Sequence, residues 1–324
     1  MIELNDKQFK MRFRLPKNVV EELQGRLHAQ LQTKTNKNHA LNPIFLILLT
    51  LRFYASGSFQ MVVGDIFNNN KATACRTIHK VSAQIAGLRP QFIKMPTEEV
   101  EVQRAMRWFY DISNFPGVLG AIDCTHIPIV SPGGNNAEIY RNRHGWFSLN
   151  VQAICDSKLR FLNIVARWPG SAHDSNIFSN SRIHAQFEVG EFAQGLLLGD
   201  SAYRCCRYLL TPTVQEDTHA ERAYNRAHRK TRSVIERAFG VVKRRFPCLR
   251  MKLGVKLNRV PPIIVATFIL HNLAINTGDD VPEIDAAIFR GRRLYQELPA
   301  PAINHINGRD NTALRTALIN NTFR

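Results

Sequence analysis

Near Pro116 the spacing of apolar residues changes, and that change limits the folds open to this 324-residue chain. Before it, apolar positions fall three and four apart, as in "NVVEELQGRLHAQL" and "NPIFLILLTLRFY", the repeat of an amphipathic helix. After it, "VLGAIDCTHIPIV", "FSLNVQAICDS" and "RFLNIVARWPG" are β-rich runs bounded by turn residues, the pattern of three successive strands. "SNIFSNSRIHAQFEVG" then reads as one helix, capped by the polar "SAHDS", and "GLLLGDSAY" as a fourth strand ending at Gly199-Asp200. "TRSVIERAFGVVKRRF" is an amphipathic helix with Val234, Ile235, Ala238, Val241 and Val242 on its core side, and "PPIIVATFILHNLAI" is a buried one. The expected fold class is α/β: a mixed-sheet core over 113–276, preceded by an all-helical domain over 1–112. The polar end, 277–324, is expected to be a weakly ordered tail.

Within the helical part, residues 58–88 hold two patterns, roughly Phe59 to Ile66 and Ala72 to Ala86, separated by "NNNK". A short helix, a tight turn and a longer helix bearing Lys71, Arg76, His79 and Lys80 is the outline of a helix-turn-helix, with Arg76 and Lys80 as DNA contacts. An ordinary helical hairpin has the same outline.

Lys plus Arg number 43 against 26 Asp plus Glu, a formal charge of +17. Such an excess favours a polyanionic partner, nucleic acid above all, although a basic surface also serves solubility. Disordered basic tails are excluded by a hydrophobic content of 44%. The six cysteines form no C-x-x-C pair, which argues against structural zinc and for a reducing compartment. "MIELNDKQFKMRFR" lacks the apolar centre of a signal peptide, and "PIFLILLTL" and "PPIIVATFIL" fall short of the roughly 20 residues of a membrane span. These features predict a soluble intracellular protein with no membrane association.

Acids stand where a strand-rich core would not choose them. Asp123 interrupts the first strand, and burying an ionised carboxylate costs several kcal/mol, about 3 or more, unless a positive charge meets it. Asp200 ends the fourth strand, at the carboxyl edge where α/β sheets place ligands. On the amphipathic helix Arg232, Glu236, Gly240 and Lys243 share one stripe. Gly240, costly inside a helix, suggests close approach of a backbone or a substrate. Asp174 in "SAHDSNIF" is a fourth candidate. Each also has a plain reading: an arginine neutralising Asp123, a turn at Asp200, a surface ion pair at Glu236, a helix cap at Asp174. Together they describe a site for Mg2+ or Mn2+, hard cations that prefer carboxylate oxygen. Arg141 and Arg143 in the loop "SPGGNNAEIYRNRHGW", with Arg232 and Lys243, would hold a DNA backbone. His126 is expected on the other strand face, as a core or supporting group, and His271 within the core. His173, beside Asp174, is the histidine with a claim to a role near the metal.

In "PGVLGAIDCTHIPI", "YRNRHGWFSLNVQAICD", "WPGSAHDSNIF", "LLGDSAY" and "YNRAHRKTRSVIERAFGVVKRRFPCL" the chain resembles the PIF/Harbinger transposases and the domesticated nucleases derived from them. The resemblance runs from about Phe53 to Ile275. It implies an RNase H-like core carrying a DDE triad, with Asp123, Asp200 and Glu236 as the catalytic acids. Asp174 would be a further metal ligand. It implies a metal-dependent DNA endonuclease, with a catalytically silent DNA-binding scaffold and an active transposase as the alternatives. It also implies a Myb-like DNA-binding partner. Placement in nucleus and cytoplasm is expected, with "KRRF" and "FRGRR" as candidate import signals. A homo-oligomer is left open.

Overall fold

The computed structural model describes residues 4–32, 41–58, 60–192, 195–279 and 312–323. It is a mixed α/β structure. The strand runs read from sequence form β1 (Val118–Pro128), β2 (Ser148–Cys155), β3 (Phe161–Pro169) and β4 (Leu196–Leu198), joined by a two-residue β5 (Leu209–Leu210). They make one sheet in the order β3-β2-β1-β4-β5. β1 pairs antiparallel with β2, and β2 antiparallel with β3, while β4 lies parallel to both β1 and β5. β1 is therefore internal, with partners on both edges. Its first half is fully buried and its second half only partly so, and Asp123 opens the partly buried half.

Helices cover the sheet. The helical repeat before Pro116 gives α1 (Asp6–Phe13), α2 (Lys17–Leu31), α3 (Pro43–Ser56), α4 (Gln60–Ile66), α5 (Lys71–Gly87), α6 (Arg89–Phe92) and α7 (Glu99–Ser113). One buried cluster includes Phe9 and Leu23 from these helices, Val151 from β2, and Phe268 from the C-terminal part. The 112/113 junction falls inside α7, and this cluster takes residues from both sides of it. α4 and α5 occupy the helix-turn-helix segment, with Asn70 capping α5 by accepting from the Thr73 amide at 2.8 Å. α5 lies against α3, α4 and the buried helix α11 (Val260–Asn276), as a core helix does.

The stretch read as one helix after β3 is two, α8 (Asp174–Ser179) and α9 (Arg182–Glu188). Ser181 breaks it: its hydroxyl accepts from the His184 amide at 3.2 Å and caps the second piece. α10 (His219–Arg245) is longer than its amphipathic signal suggested, starting at a capping box formed by Thr218 and Glu221. Leu257–Asn276 is long and apolar enough to cross a membrane by composition, more than its ten-residue apolar centre indicated. However, 67% of its apolar window is buried in the protein, which marks a core helix. Most of the expected polar tail, with "FRGRR", lies outside the described residues. Its described end is no irregular chain: α12 (Ala313–Thr322) packs on α10, and Phe323 meets Phe115 and Tyr224 with ring centroids 5.4 and 5.6 Å apart.

Candidate functional site

The positive charge that meets Asp123 comes from α10, 109 residues away in sequence. Arg232 donates from Nη1 to Asp123 Oδ2 at 3.0 Å and from Nη2 to Glu236 Oε1, one turn along the helix. Asp123 Oδ1 accepts from the Cys124 amide at 2.7 Å. Lys243, further along the same stripe, donates to Thr125 Oγ1 at 2.6 Å and to the His126 carbonyl at 3.1 Å. The stripe predicted from 4-4-3 spacing therefore faces β1, because residues at those intervals share one side of a helix. Arg232 and Lys243, expected on a DNA backbone, make these bonds within the protein.

Two further acids approach from other elements. Asp200 follows β4, the strand beside β1, and its Oδ1 accepts from the Ala202 amide at 3.0 Å as in a polar turn. Asp174 is the first residue of α8, but it is not the cap. His173 holds that position, and Asp174 Oδ1 accepts from Asn150 Nδ2 at 2.9 Å. Asn150, on β2, also donates to the Ala172 carbonyl at 2.9 Å and so fixes the acid-bearing turn. Asn150 was not singled out from sequence; a polar residue inside a fully buried strand was the available signal.

These carboxylates load one another. Burial, then the charge of Asp200, pushes the Asp123 carboxyl up to about 8, with Arg232 and the Cys124 amide opposing. Burial also raises Asp174, partly offset by the Asn150 bond, and Asp200 adds to the rise. Tyr203 and Cys124, 3.4 Å apart, back the acids, and burial drives both well above their usual range.

In chemistry this donor set fits a hard divalent cation: carboxylate oxygens only, in mutual repulsion that a cation would relieve. In arrangement it is held by Arg232. Among the described residues no three acids, imidazoles or thiols close into one coordination shell. Glu236 keeps 55% of its side chain exposed, against 16% for Asp123 and Arg232. No atom lies within 4 Å of a methyl built on Gly240, so the space beside that residue is open and no backbone approaches it.

The remaining predicted contacts scatter. Arg141 braces its own loop by pairing with Glu138 and donating to the Gly145 carbonyl at 2.8 Å. Arg143 is exposed beside His144. Arg76 and Lys80 are exposed on α5, where Lys80 reaches the Leu31 carbonyl at 3.3 Å. His126 bonds Ser148 Oγ at 3.0 Å, and its burial lowers it to about 4. His271 is fully buried and donates from Nε2 to the Leu159 carbonyl at 2.9 Å. His173 is exposed, beside Asp174. "KRRF" contains a fully buried Arg245 that pairs with Asp279, so the folded chain does not present it as an open basic peptide.

The sequence profile of the family described as "DDE superfamily endonuclease" matches residues 122–272, a span that holds all four acids. The chain is 33% identical over 282 residues to the Homo sapiens protein named "Putative nuclease HARBI1", covering 86% of this chain and 80% of that protein. It is 35% identical to the Mus musculus protein of the same name, with the same coverage. An Arabidopsis thaliana protein, "Antagonist of like heterochromatin protein 1", is 25% identical over 252 residues, 73% of this chain and 63% of its own length. No solved structure matches.

Proposed function

The chain belongs to the DDE superfamily endonucleases, among the harbinger transposase-derived proteins, and on that premise we propose that it is a divalent-metal-dependent DNA endonuclease. One observation carries the proposal. Asp123, Asp174 and Asp200 stand on β1, α8 and the end of β4, and Asp200 raises both other carboxyls while Asp174 adds to the rise of Asp123. A cation site is the arrangement that such a cluster serves. The sheet order, with two antiparallel steps on one side of β1 and two parallel steps on the other, supports an RNase H-like core.

In this reading Asp123 and Asp200 hold the ions, Glu236 completes the set and Asp174 assists. Mg2+ or Mn2+, when bound, supplies the charge that activates water and stabilises the leaving oxygen of a phosphodiester. The chain's own groups do the rest. Asn150 fixes Asp174, and Lys243 anchors the β1 backbone on which Asp123 rides. Arg232 stands in for a cation between Asp123 and Glu236, and gives up Glu236 when the acids act together. Cleavage of supercoiled plasmid in Mn2+ tests the reading. The Asp123→Ala protein is expected to lose activity at least about 100-fold. Equal cleavage by both proteins overturns it.

The Arg232 bridge favours a second reading, a DNA-binding scaffold in which an internal ion pair has replaced the metal. Calorimetric titration with Mn2+ separates the two: binding that Asp200→Ala abolishes supports the nuclease, and no binding even with DNA present supports the scaffold. A Myb-like partner and residence in both nucleus and cytoplasm go with either reading. The name of the Arabidopsis relative points the search for partners towards chromatin.

A further inference from the structure

Trp108, on α7, is the shared wall of two hollows of about 240 and 380 Å3. The larger lies between α7, the β2–β3 turn and α10, and its charged lining is Lys158, Lys230, Arg237 and Asp111. Lys158 Nζ sits 3.6 Å from the centre of the Trp108 ring. Asp111 is already paired with Arg107 at 3.1 Å. Lys158, Lys230 and Arg237 are all exposed, and the described residues offer none of them a carboxylate partner within ion-pair distance. The smaller hollow shares Trp108 and adds Lys94, Arg104 and Arg160, with Glu101 and Asp156 beside them.

The turn that presents Lys158 is built rigidly. Asp156, almost wholly buried, accepts through Oδ1 from the Lys158 and Arg160 amides, both at 2.9 Å, and through Oδ2 from Arg160 Nε at 2.7 Å. Its charge is spent on the turn and does not neutralise Lys158. Leu159 has φ +67°, a left-handed conformation rare outside glycine, and the His271 bond to its carbonyl holds it there. Strain of this kind persists only where the surroundings enforce it. Cys155, at the start of the turn, pairs with Ala121, two residues before Asp123, and Arg237 follows Glu236 on α10.

We propose that this groove binds a DNA strand, with Trp108 stacking on a base and Lys158, Lys230 and Arg237 holding successive phosphates, so that the strand runs on past the acid site. The proposal deepens the nuclease reading and rests on it. It assigns DNA binding to residues whose charges are left over in the fold, unlike Arg232 and Lys243.

Fluorescence anisotropy of labelled single-stranded DNA, measured against salt without divalent cation, tests it independently of cleavage. Lys158→Ala with Arg237→Ala is expected to weaken binding roughly tenfold and to lower the slope of log affinity against log salt by about 1.4, because two phosphates of the strand are then no longer neutralised. Lys7→Ala with Arg12→Ala, an equal charge change on α1, is expected to leave both nearly unchanged. DNA is also expected to quench tryptophan fluorescence in wild type and not in Trp108→Phe. Wild-type affinity and slope in the groove variant overturn the groove alone. Absence of any DNA binding by wild type overturns the nuclease reading with it.

Discussion

Two apolar runs in this chain are broken by a polar residue, "GAIDCTHIPI" by Asp123 and "FILHNLAI" by the His271–Asn272 pair, and the fold treats them in opposite ways. Asn272 is fully answered: its Oδ1 accepts from the Phe161 amide at 2.8 Å, and its Nδ2 donates to the Phe92 and Phe161 carbonyls at 2.8 and 2.7 Å. Every bond is to backbone, so the side chain mimics a strand neighbour for β3 and ties α11 and α6 to it. Asp123 is answered by one amide and one guanidinium, and opposed by two more acids. A polar group that serves structure is satisfied in place. One under electrostatic load is what the proposed cation would relieve.

The contrast can be broken from either side. Asp123→Asn is expected to remove Mn2+-dependent cleavage by about 100-fold or more while leaving the melting temperature unchanged or raised, because the neutral isostere suits the load better. A marked loss of stability would put Asp123 with Asn272. Asn272→Ala should do the reverse. It strands three backbone partners in the core and is expected to cost about 3 kcal/mol in urea unfolding. Acidity gives a smaller, graded test. Burial lowers His271 to about 3 and His228 to about 4, so both stay neutral in the folded chain after the unfolded chain has taken up protons. Stability from these groups is therefore lost as pH falls from about 6.5 towards 4. Asp123 works with the opposite slope: its folded-state pKa of about 8 makes stability fall as pH rises from about 4 to 8. Melting curves across pH should show the alkaline slope flatten in Asp123→Asn and the acid one persist. The smallest effect belongs to Gly240. With open space beside it, Gly240→Ala is expected to gain about 1 kcal/mol of stability in the same urea experiment. A loss of DNA affinity alongside that gain would show that substrate passes there.

Local signals carried much of this. The strand runs were legible because alternation and turn residues bounded them, and the α10 stripe because helical spacing fixes which residues share a face. What pairs with what was not legible. The Arg232–Asp123 bridge, the Asn150 hold on Asp174 and the Trp108 groove join residues that packing brings together from distant parts of the sequence. The same limit applies to DNA-binding residues: Lys243 and Arg237 look alike in sequence, but one bonds to β1 and the other faces a groove. The break at Ser181 was not legible because a capping hydroxyl inside an apolar pattern interrupts no periodicity.

Arg245 has a consequence for the order in which the chain takes shape. Fully buried, it reaches the Arg14 carbonyl at 3.3 Å and pairs with Asp279, to which Lys10 of α1 is also bound at 2.5 Å. The N-terminal helix is thus fastened by residues made more than 200 positions later. At a synthesis rate of roughly 5–20 residues per second, Lys10 and Arg14 wait on the order of 10–50 s for the partners that fasten α1. Chains held on the ribosome short of Arg245 should lose α1 to brief protease treatment, whereas chains extending well past Asp279 should keep it. Until then α1 lies on the growing chain without the clamp that fixes it in the finished fold, and slower synthesis lengthens that interval.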